Sequence, residues 1–138
     1  MRYHLDTNVI IAILKNRPAV VRARMTSALA AGDTMAMSSV VLYELWYGVA
    51  RSQRRRENAE RLRHFLSGAI TVEPFAGEDA AAAGDLRAGL EATGRPIGPY
   101  DLLIATQALR TGATLVTANT AEFARVPGLV WEDWTAAG

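Results

Sequence analysis

Short apolar segments alternate along the chain with longer stretches in which apolar residues recur at helical spacing. The short segments predict strands at residues 2–5, 34–38, 70–72 and 114–117, with a fifth at 129–131. Strands that alternate with helices favour an α/β fold, in which helices flank a mostly parallel central sheet of four to five strands. The 138 residues contain no internal repeat and no linker, so we expect one domain over residues 1–138.

Capping and turn residues mark where the helices begin and end. The turn at residues 6–8 leads into a helix at 9–14, and Pro18 opens a second helix that stops at Gly32. Ser38 or Ser39 is placed to cap a third helix, which carries residues 41–49. We expect helix to continue through the arginine-rich residues 54–66, and further helices at 80–92 and 99–112.

The composition excludes several classes of enzyme. The absence of cysteine rules out disulfides, thiolate nucleophiles and cysteine-ligated zinc. The single lysine, Lys15, is followed by Asn16 and not by Ser or Thr, so there is no Walker A loop, and no Gly-x-Gly occurs. The two histidines, His4 and His64, have no spacing that suggests a metal site or a catalytic dyad, and we assign them no chemistry.

No apolar run approaches the roughly 18 residues that a membrane-spanning helix needs. The first apolar run, residues 9–14, follows Asp6 and ends at Lys15, which makes it a poor core for a signal peptide. We therefore expect no membrane association and a cytoplasmic location.

Three carboxylates, Asp6, Glu44 and Asp101, stand in strongly apolar surroundings. A buried carboxylate without a partner is costly, so each must be exposed, hydrogen-bonded or bound to a cation. Asp6 could simply cap the following helix, and Asp101 lies in the first turn of a helix opened by Pro99, where the helix dipole favours an acid. Glu44 has no such explanation, because a capping box would need a serine at the position of Val41.

The acids follow strand ends and helix starts, and Asn119 follows the fourth strand. In α/β sheets such positions face one crevice at the carboxyl ends of the strands. Carboxylates crowded there repel one another and raise their pKa values unless a cation neutralises them. Oxygen ligands without histidine or cysteine select Mg²⁺ or Mn²⁺, which serve phosphoryl chemistry.

Four segments, in this order and at this spacing, together resemble a PIN domain, and more narrowly the VapC ribonuclease toxins of bacterial toxin–antitoxin pairs. They are LDTNVI at residues 5–10, SVVLYEL at 39–45, PYDLLIA at 99–105 and LVTANTAEF at 115–123. The resemblance covers nearly the whole chain. It implies a three-layer PIN-like nuclease domain and a metal-dependent endoribonuclease, in which a metal-activated water hydrolyses RNA to leave 5′-phosphate and 3′-OH ends.

The resemblance also implies roles for individual residues. Asp6, Glu44 and Asp101 match the family's acidic metal ligands for Mg²⁺ or Mn²⁺, and Asn119 matches a fourth catalytic position that many PIN domains fill with aspartate. Thr7, Thr117 and Asn119 are expected to position phosphate or water, although Thr7 could serve only as a helix start. We expect Glu122 to be structural, on the turn before Phe123. Three negative charges favour one tightly held ion, with a second recruited by phosphate.

The implied partners are the RNA substrate and a cognate antitoxin protein, with a homodimer that joins larger complexes with the antitoxin. The antitoxin's inhibitory tail would occupy the acidic crevice. RNA contact is a further expectation for four arginines of the basic stretch at residues 51–63, Arg51, Arg54, Arg55 and Arg56. Alternatively, these arginines form a solvated helix face, braced by pairs such as Glu57–Arg61, or part of a partner interface.

The aromatic residues beside Glu44 are Tyr43, Trp46 and Tyr47, which suit a core or an interface but could also stack on unpaired bases.

Two other functions remain open for the protein as a whole. In a non-catalytic RNA- or protein-binding domain the acids would be only caps and structural hydrogen-bond partners. A haloacid-dehalogenase-like phosphohydrolase with Asp6 as nucleophile would need a second aspartate where Asn8 stands, and a later lysine that the chain lacks.

Overall fold

Five strands form one sheet in the computed structural model, which describes residues 1–136. Their order is β3-β2-β1-β4-β5, and every neighbouring pair is parallel. The strands are β1 (Arg2–Leu5), β2 (Thr34–Ser38), β3 (Ile70–Glu73), β4 (Thr114–Val116) and β5 (Trp131–Glu132). The predicted α/β class is confirmed, and the sheet is parallel throughout.

Helices cover the sheet and form the outer layers of a three-layer arrangement. They are α1 (Thr7–Lys15), α2 (Ala19–Ala30), α3 (Ser39–Ala50), α4 (Arg55–Leu66), α5 (Gly77–Ala92), α6 (Pro99–Thr111) and the short α7 (Thr120–Phe123). Helix α1 packs against α2 and α3, and α5 packs against α6. None of the helices within residues 1–136 is both long and apolar enough to cross a membrane.

The arginine-rich stretch is a separate helix, so the expected continuation of α3 is wrong. Helix α3 ends at Ala50, and residues 51–54 form a turn before α4. Ser52 stabilises this turn, since its backbone N–H and its hydroxyl both donate to the carbonyl of Val49, while the Asn58 side chain donates to the hydroxyl. The turn exposes four arginines, Arg51 and residues 54–56.

Other boundaries also differ from the predicted ones. Helix α1 begins at Thr7 and not at Val9, so residues 6–8 are not a turn, because the carboxylate of Asp6 caps the helix by accepting a hydrogen bond from the N–H of Val9. Helix α5 begins at Gly77 and not at Ala80, since the carboxylate of Asp79 accepts a hydrogen bond from the N–H of Ala76 and closes an earlier first turn. Strand β5 lies at 131–132 and not at 129–131, because backbone N–H groups at β4 donate hydrogen bonds to the carbonyls of Val130 and Glu132.

The core lies along the three central strands. Leu5 of β1, Met37 of β2 and Leu115 of β4 are completely buried. Because β1, β2 and β4 are adjacent and parallel, their carboxyl ends meet at one edge of the sheet. Helices α1 and α3 and the segment leading to α7 start directly after these ends, so the side chains that begin them share one crevice.

Candidate functional site

Asp6 connects β1 to α1 and takes part in the helix cap. Its Oδ1 accepts a hydrogen bond from the N–H of Val9 at 2.9 Å, and the residue is only 6% exposed. The capping role considered for Asp6 is thus present, but the bond from Val9 occupies only Oδ1 of the two carboxylate oxygens. The side chain lines the crevice as well.

Glu44 lies in the second turn of α3, which Ser38 caps by accepting a hydrogen bond from the N–H of Val40 at 3.0 Å. The hydroxyl of Thr7 donates to Glu44 Oε1 at 2.7 Å. Thr7 therefore holds the carboxylate of Glu44 and is also the first residue of α1, while its expected contact to phosphate or water stays a prediction.

Asp101 lies in the first turn of α6, opened by Pro99 as the sequence predicts. Asn119 lies opposite, at the start of α7, and its Nδ2 is 3.4 Å from Asp101 Oδ2 and 2.8 Å from Glu122 Oε2. The amide thus links two carboxylates that come from different helices.

These side chains line one small polar pocket of about 110 Å³, whose walls are Asp6, Thr7, Asn8, Glu44, Asp101 and Asn119. The structure therefore brings together the four residues proposed as catalytic. Thr117, by contrast, is completely buried behind the pocket. Its hydroxyl accepts from the N–H of Asn119 at 3.0 Å and bonds the carboxylate of Asp6, so it orients the pocket wall and does not line it.

Glu122 is the residue that the sequence interpretation missed. Its Oε1 accepts a hydrogen bond from the N–H of Gly98, and its Oε2 accepts from Asn119. The expected structural role is present in the first bond, but the second places a fourth carboxylate beside Asp101. Its position three residues after Asn119 was the available signal, since residues at i and i+3 face the same side once the predicted turn before Phe123 is helical, as α7 is.

The carboxylates of the pocket carry uncompensated negative charge. Burial, followed by the charges of Glu122 and Asp6, raises the pKa of Asp101 to about 7. Burial also raises the pKa of Asp6, against the hydrogen bonds from Thr117 and Val9. The N–H of Gly98 lowers the pKa of Glu122. Near neutral pH, Asp101 therefore binds a proton far more readily than an exposed aspartate does, next to an ionised Glu122.

The donor chemistry of the pocket fits a hard divalent cation. Its carboxylate and amide oxygens are the ligands that Mg²⁺ and Mn²⁺ prefer, and no cationic side chain is among the residues that line it. Within residues 1–136, no three acidic or histidine side chains lie close enough to hold an ion together. The carboxylates are instead held apart, because each accepts a hydrogen bond from a different residue, Thr7, Val9 or Asn119.

The four expected RNA-contacting arginines are exposed around the α3–α4 turn, outside the acidic pocket. The alternative of a braced helix face is partly present, since Glu57 pairs with Arg54 at 3.6 Å and not with Arg61. A second cavity of about 220 Å³ lies between the two regions: it shares Glu44 with the acidic pocket and reaches Ser52 and Arg61.

His4 lies away from the pocket, in the buried layer under α5 and α6. It is 1% exposed, and its Nε2 is 2.9 Å from Glu73 Oε2. Burial, together with the charge of Arg2, lowers the pKa of His4 to about 4, so the imidazole is neutral at pH 7. Neither histidine lines the acidic pocket, in line with the lack of an assigned role.

Comparison with known proteins places the chain in a family. Residues 3–129 match the PIN domain model. The chain is 43% identical over 135 residues to the tRNA(fMet)-specific endonuclease VapC of Shigella flexneri, covering 98% of this chain and 99% of that protein. It is 40% identical over 134 residues to Ribonuclease VapC2 of Rickettsia felis, covering 97% and 98%.

Solved structures agree with the sequences. The VapBC2 complex from Rickettsia felis, bound to a DNA fragment from its promoter, contains a chain that matches with a TM-score of 0.90, 39% identity and coverage of 97% of this chain and 99% of that one. A chain of VapBC-1 from nontypeable Haemophilus influenzae matches with a TM-score of 0.85, 37% identity and coverage of 99% and 100%. The chain belongs to the VapC group of the PIN-domain family.

Proposed function

We propose that this protein is an endoribonuclease that acts as the toxin of a toxin–antitoxin pair and hydrolyses RNA phosphodiester bonds with the help of Mg²⁺ or Mn²⁺. The observation that carries the proposal is the convergence of Asp6, Glu44 and Asp101 on one polar pocket, where burial and the charges of Glu122 and Asp6 raise the pKa of Asp101 to about 7. Family membership and the ribonuclease names of the relatives support it.

Asp6, Glu44 and Asp101 would hold the cation, which when bound acts as a Lewis acid on a phosphate oxygen and on water. Thr7 keeps Glu44 aimed at the pocket, and Thr117 does the same for Asp6. Asn119 offers its amide to phosphate or water at the pocket mouth. Water activated by the bound cation would act as the nucleophile, so we expect products that carry 5′-phosphate and 3′-OH ends.

The exposed arginines of the α3–α4 turn give the protein its affinity for the RNA backbone. A guanidinium group binds phosphate through two parallel hydrogen bonds, in a manner that depends on salt and not on sequence. Arg51, Arg54, Arg55 and Arg56 are all available for this contact.

We infer a cognate antitoxin as the partner, since solved relatives are VapBC toxin–antitoxin complexes. The acidic pocket favours an inhibitory tail with a basic residue, which would replace the charge of the cation. A homodimer within a larger complex, and a cytoplasmic location, remain predictions. Initiator tRNA is the first RNA to test, because the relative from Shigella flexneri is named for it.

The decisive experiment is cleavage of total RNA and of initiator tRNA by the purified, antitoxin-free protein in Mg²⁺, Mn²⁺ or EDTA. We expect fragments with 5′-phosphate ends in either metal and none in EDTA. Asp6→Ala and Asp101→Asn should abolish cleavage while the fold survives. Asp85→Asn, an exposed acid on α5, is the matched control and should cleave normally.

Calorimetric titration with Mg²⁺ provides a second readout that does not depend on activity. We expect heat of binding in the wild type and its loss in Asp101→Asn.

The geometry of the acids favours a non-catalytic binding domain instead. The acids already have structural hydrogen bonds, and within the described residues no three of them lie close enough to hold an ion together. Failure of the folded protein both to bind metal and to cleave RNA would select that alternative.

A further inference from the structure

Three tyrosines are exposed together beside the acidic pocket, and the activity described above uses none of them. Tyr43 is 53% exposed, Tyr47 57% and Tyr100 45%. The rings of Tyr43 and Tyr100 are in contact, with centroids 5.8 Å apart and planes tilted by 52°. We refer to Tyr100, Tyr43 and Tyr47 as the aromatic track.

The two touching rings belong to residues that directly precede pocket acids. Tyr43 precedes Glu44 on α3, and Tyr100 precedes Asp101 on α6. Successive side chains on a helix differ in direction by about 100°, so each tyrosine lies to the side of the pocket while its neighbour points into it. The contact between the rings shows that both lie on the same side, where α3 meets α6.

The track continues along α3 and ends in a positive charge. Tyr47 is four residues after Tyr43, so it lies one turn further on the same helix face. Arg51 follows after another four residues, and its guanidinium lies 5.3 Å from the centre of the Tyr47 ring. An aromatic surface thus runs from the pocket edge towards the arginines of the α3–α4 turn.

The chemistry of this surface suits unpaired nucleotides. Aromatic rings beside cationic side chains bind single-stranded nucleic acid, since every base can stack on a ring while its phosphate meets the cation. A second copy of the chain would also cover exposed aromatic rings. RNA is favoured by position: two of the rings adjoin the acids that would act on a phosphate, and the far end carries the charge that a phosphate needs.

We propose that the aromatic track binds an unpaired stretch of the RNA substrate, with Tyr43 and Tyr100 stacking on the base next to the scissile phosphate and Tyr47 on the base beyond it. This inference rests on the proposed ribonuclease function and deepens it. Stacking on these rings requires the bases at the two positions to be unpaired, because paired bases cannot present their faces to the rings.

Binding to unpaired RNA is the first test, and it does not require catalysis. Fluorescein-labelled single-stranded RNA of mixed sequence is titrated with the Asp101→Asn protein in EDTA, beside a duplex of the same length. We expect a preference for the single strand, and the double variant Tyr43→Ala/Tyr100→Ala should reduce single-strand affinity by roughly 5- to 150-fold. Tyr43→Phe/Tyr100→Phe should restore it, because the rings remain. Trp131→Ala, which removes an exposed ring at β5, is the control.

Cleavage provides the second test. Once the cleaved bond is mapped with the wild type, an oligonucleotide with an abasic nucleotide beside it is compared with the intact one. The wild type should cut the intact oligonucleotide about tenfold better, and the double alanine variant should show almost no difference, as expected when ring and base form one interaction.

Two results would overturn the proposal. One is a double alanine variant that binds single-stranded RNA as the parent does. The other is a variant that discriminates against the abasic site as strongly as the wild type, but sediments as a monomer where the wild type is a dimer. That second result would assign the track to a second copy of the chain. Absence of all cleavage by the wild type would instead refute the ribonuclease function, and single-strand binding would still be measurable.

Discussion

Replacing Asp101 with asparagine should make the metal-free protein more stable while it abolishes cleavage. Burial and the charges of Glu122 and Asp6 raise the pKa of Asp101 from 3.8 to about 7. Between these two pH values the folded state binds more protons than the unfolded state, so the free energy of unfolding falls as pH rises. Above pH 7 the wild type bears the full cost of an ionised Asp101, and an asparagine bears none.

The size of this cost follows from the two pKa values. Their difference corresponds to roughly 4 kcal/mol, at about 1.36 kcal/mol per pH unit. The carboxyl is only half-buried, so solvent screening reduces this to about 1–2 kcal/mol. Asparagine keeps a side-chain oxygen for the bond from Asn119, so little else changes. For a domain of this length, the stabilisation corresponds to a rise of about 3–8 °C in melting temperature.

Thermal unfolding in EDTA, at several pH values from 4 to 8, measures the effect. We expect Asp101→Asn to melt above the wild type at pH 8 and together with it at pH 4. Added Mg²⁺ should stabilise the wild type by mass action and leave the variant unchanged. Asp85→Asn, which removes an exposed acid, should follow the wild type throughout. Equal melting at pH 8, or a less stable variant, would refute the electrostatic account of the pocket.

Three further changes test other parts of the structure. Glu122→Gln removes the charge next to Asp101, so the pH-dependent loss of stability should shift to lower pH in the same EDTA melts. Arg55→Gln/Arg56→Gln should lower the slope of log affinity for RNA against log salt by about one for each phosphate that the variant no longer binds, with Arg87→Gln on α5 as the control. Arg110→Met leaves the buried carboxylate of Asp79 without its partner, so the urea midpoint should fall while RNA cleavage per folded molecule stays the same.

The periodicity of the sequence was sufficient to predict the sheet, because each strand is a short apolar segment between helices. β1 and β2 occupy the predicted residues, and β3 and β4 differ by one residue at the carboxyl end. The errors arose where side chains decide the boundary. The break between α3 and α4 depends on Ser52, Val49 and Asn58, and a polar turn rich in arginine has the same composition as an exposed helix face.

The acids of the pocket could be predicted for a different reason. A carboxylate among apolar residues conflicts with burial, and this conflict is visible in the sequence at Asp6, Glu44 and Asp101. Glu122 shows no such conflict, because it does not stand in a long apolar run: Asn119 and Thr120 precede it and Arg125 follows it. Its closeness to Asp101 depends on how α7 lies against Gly98, which is a tertiary contact that local sequence does not encode.

Glu122 also changes the charge balance on which the expected number of ions was based. With three carboxylates, one divalent ion leaves a charge of −1 and two leave +1, which favours a single tightly held ion. The structure adds a fourth carboxylate, bonded to Asn119 at 2.8 Å, so one ion leaves −2 and two leave a neutral site. Asparagine at position 119 therefore does not make this pocket poorer in charge than one with aspartate there. The negative charge is supplied three residues later, and the amide of Asn119 holds it next to Asp101.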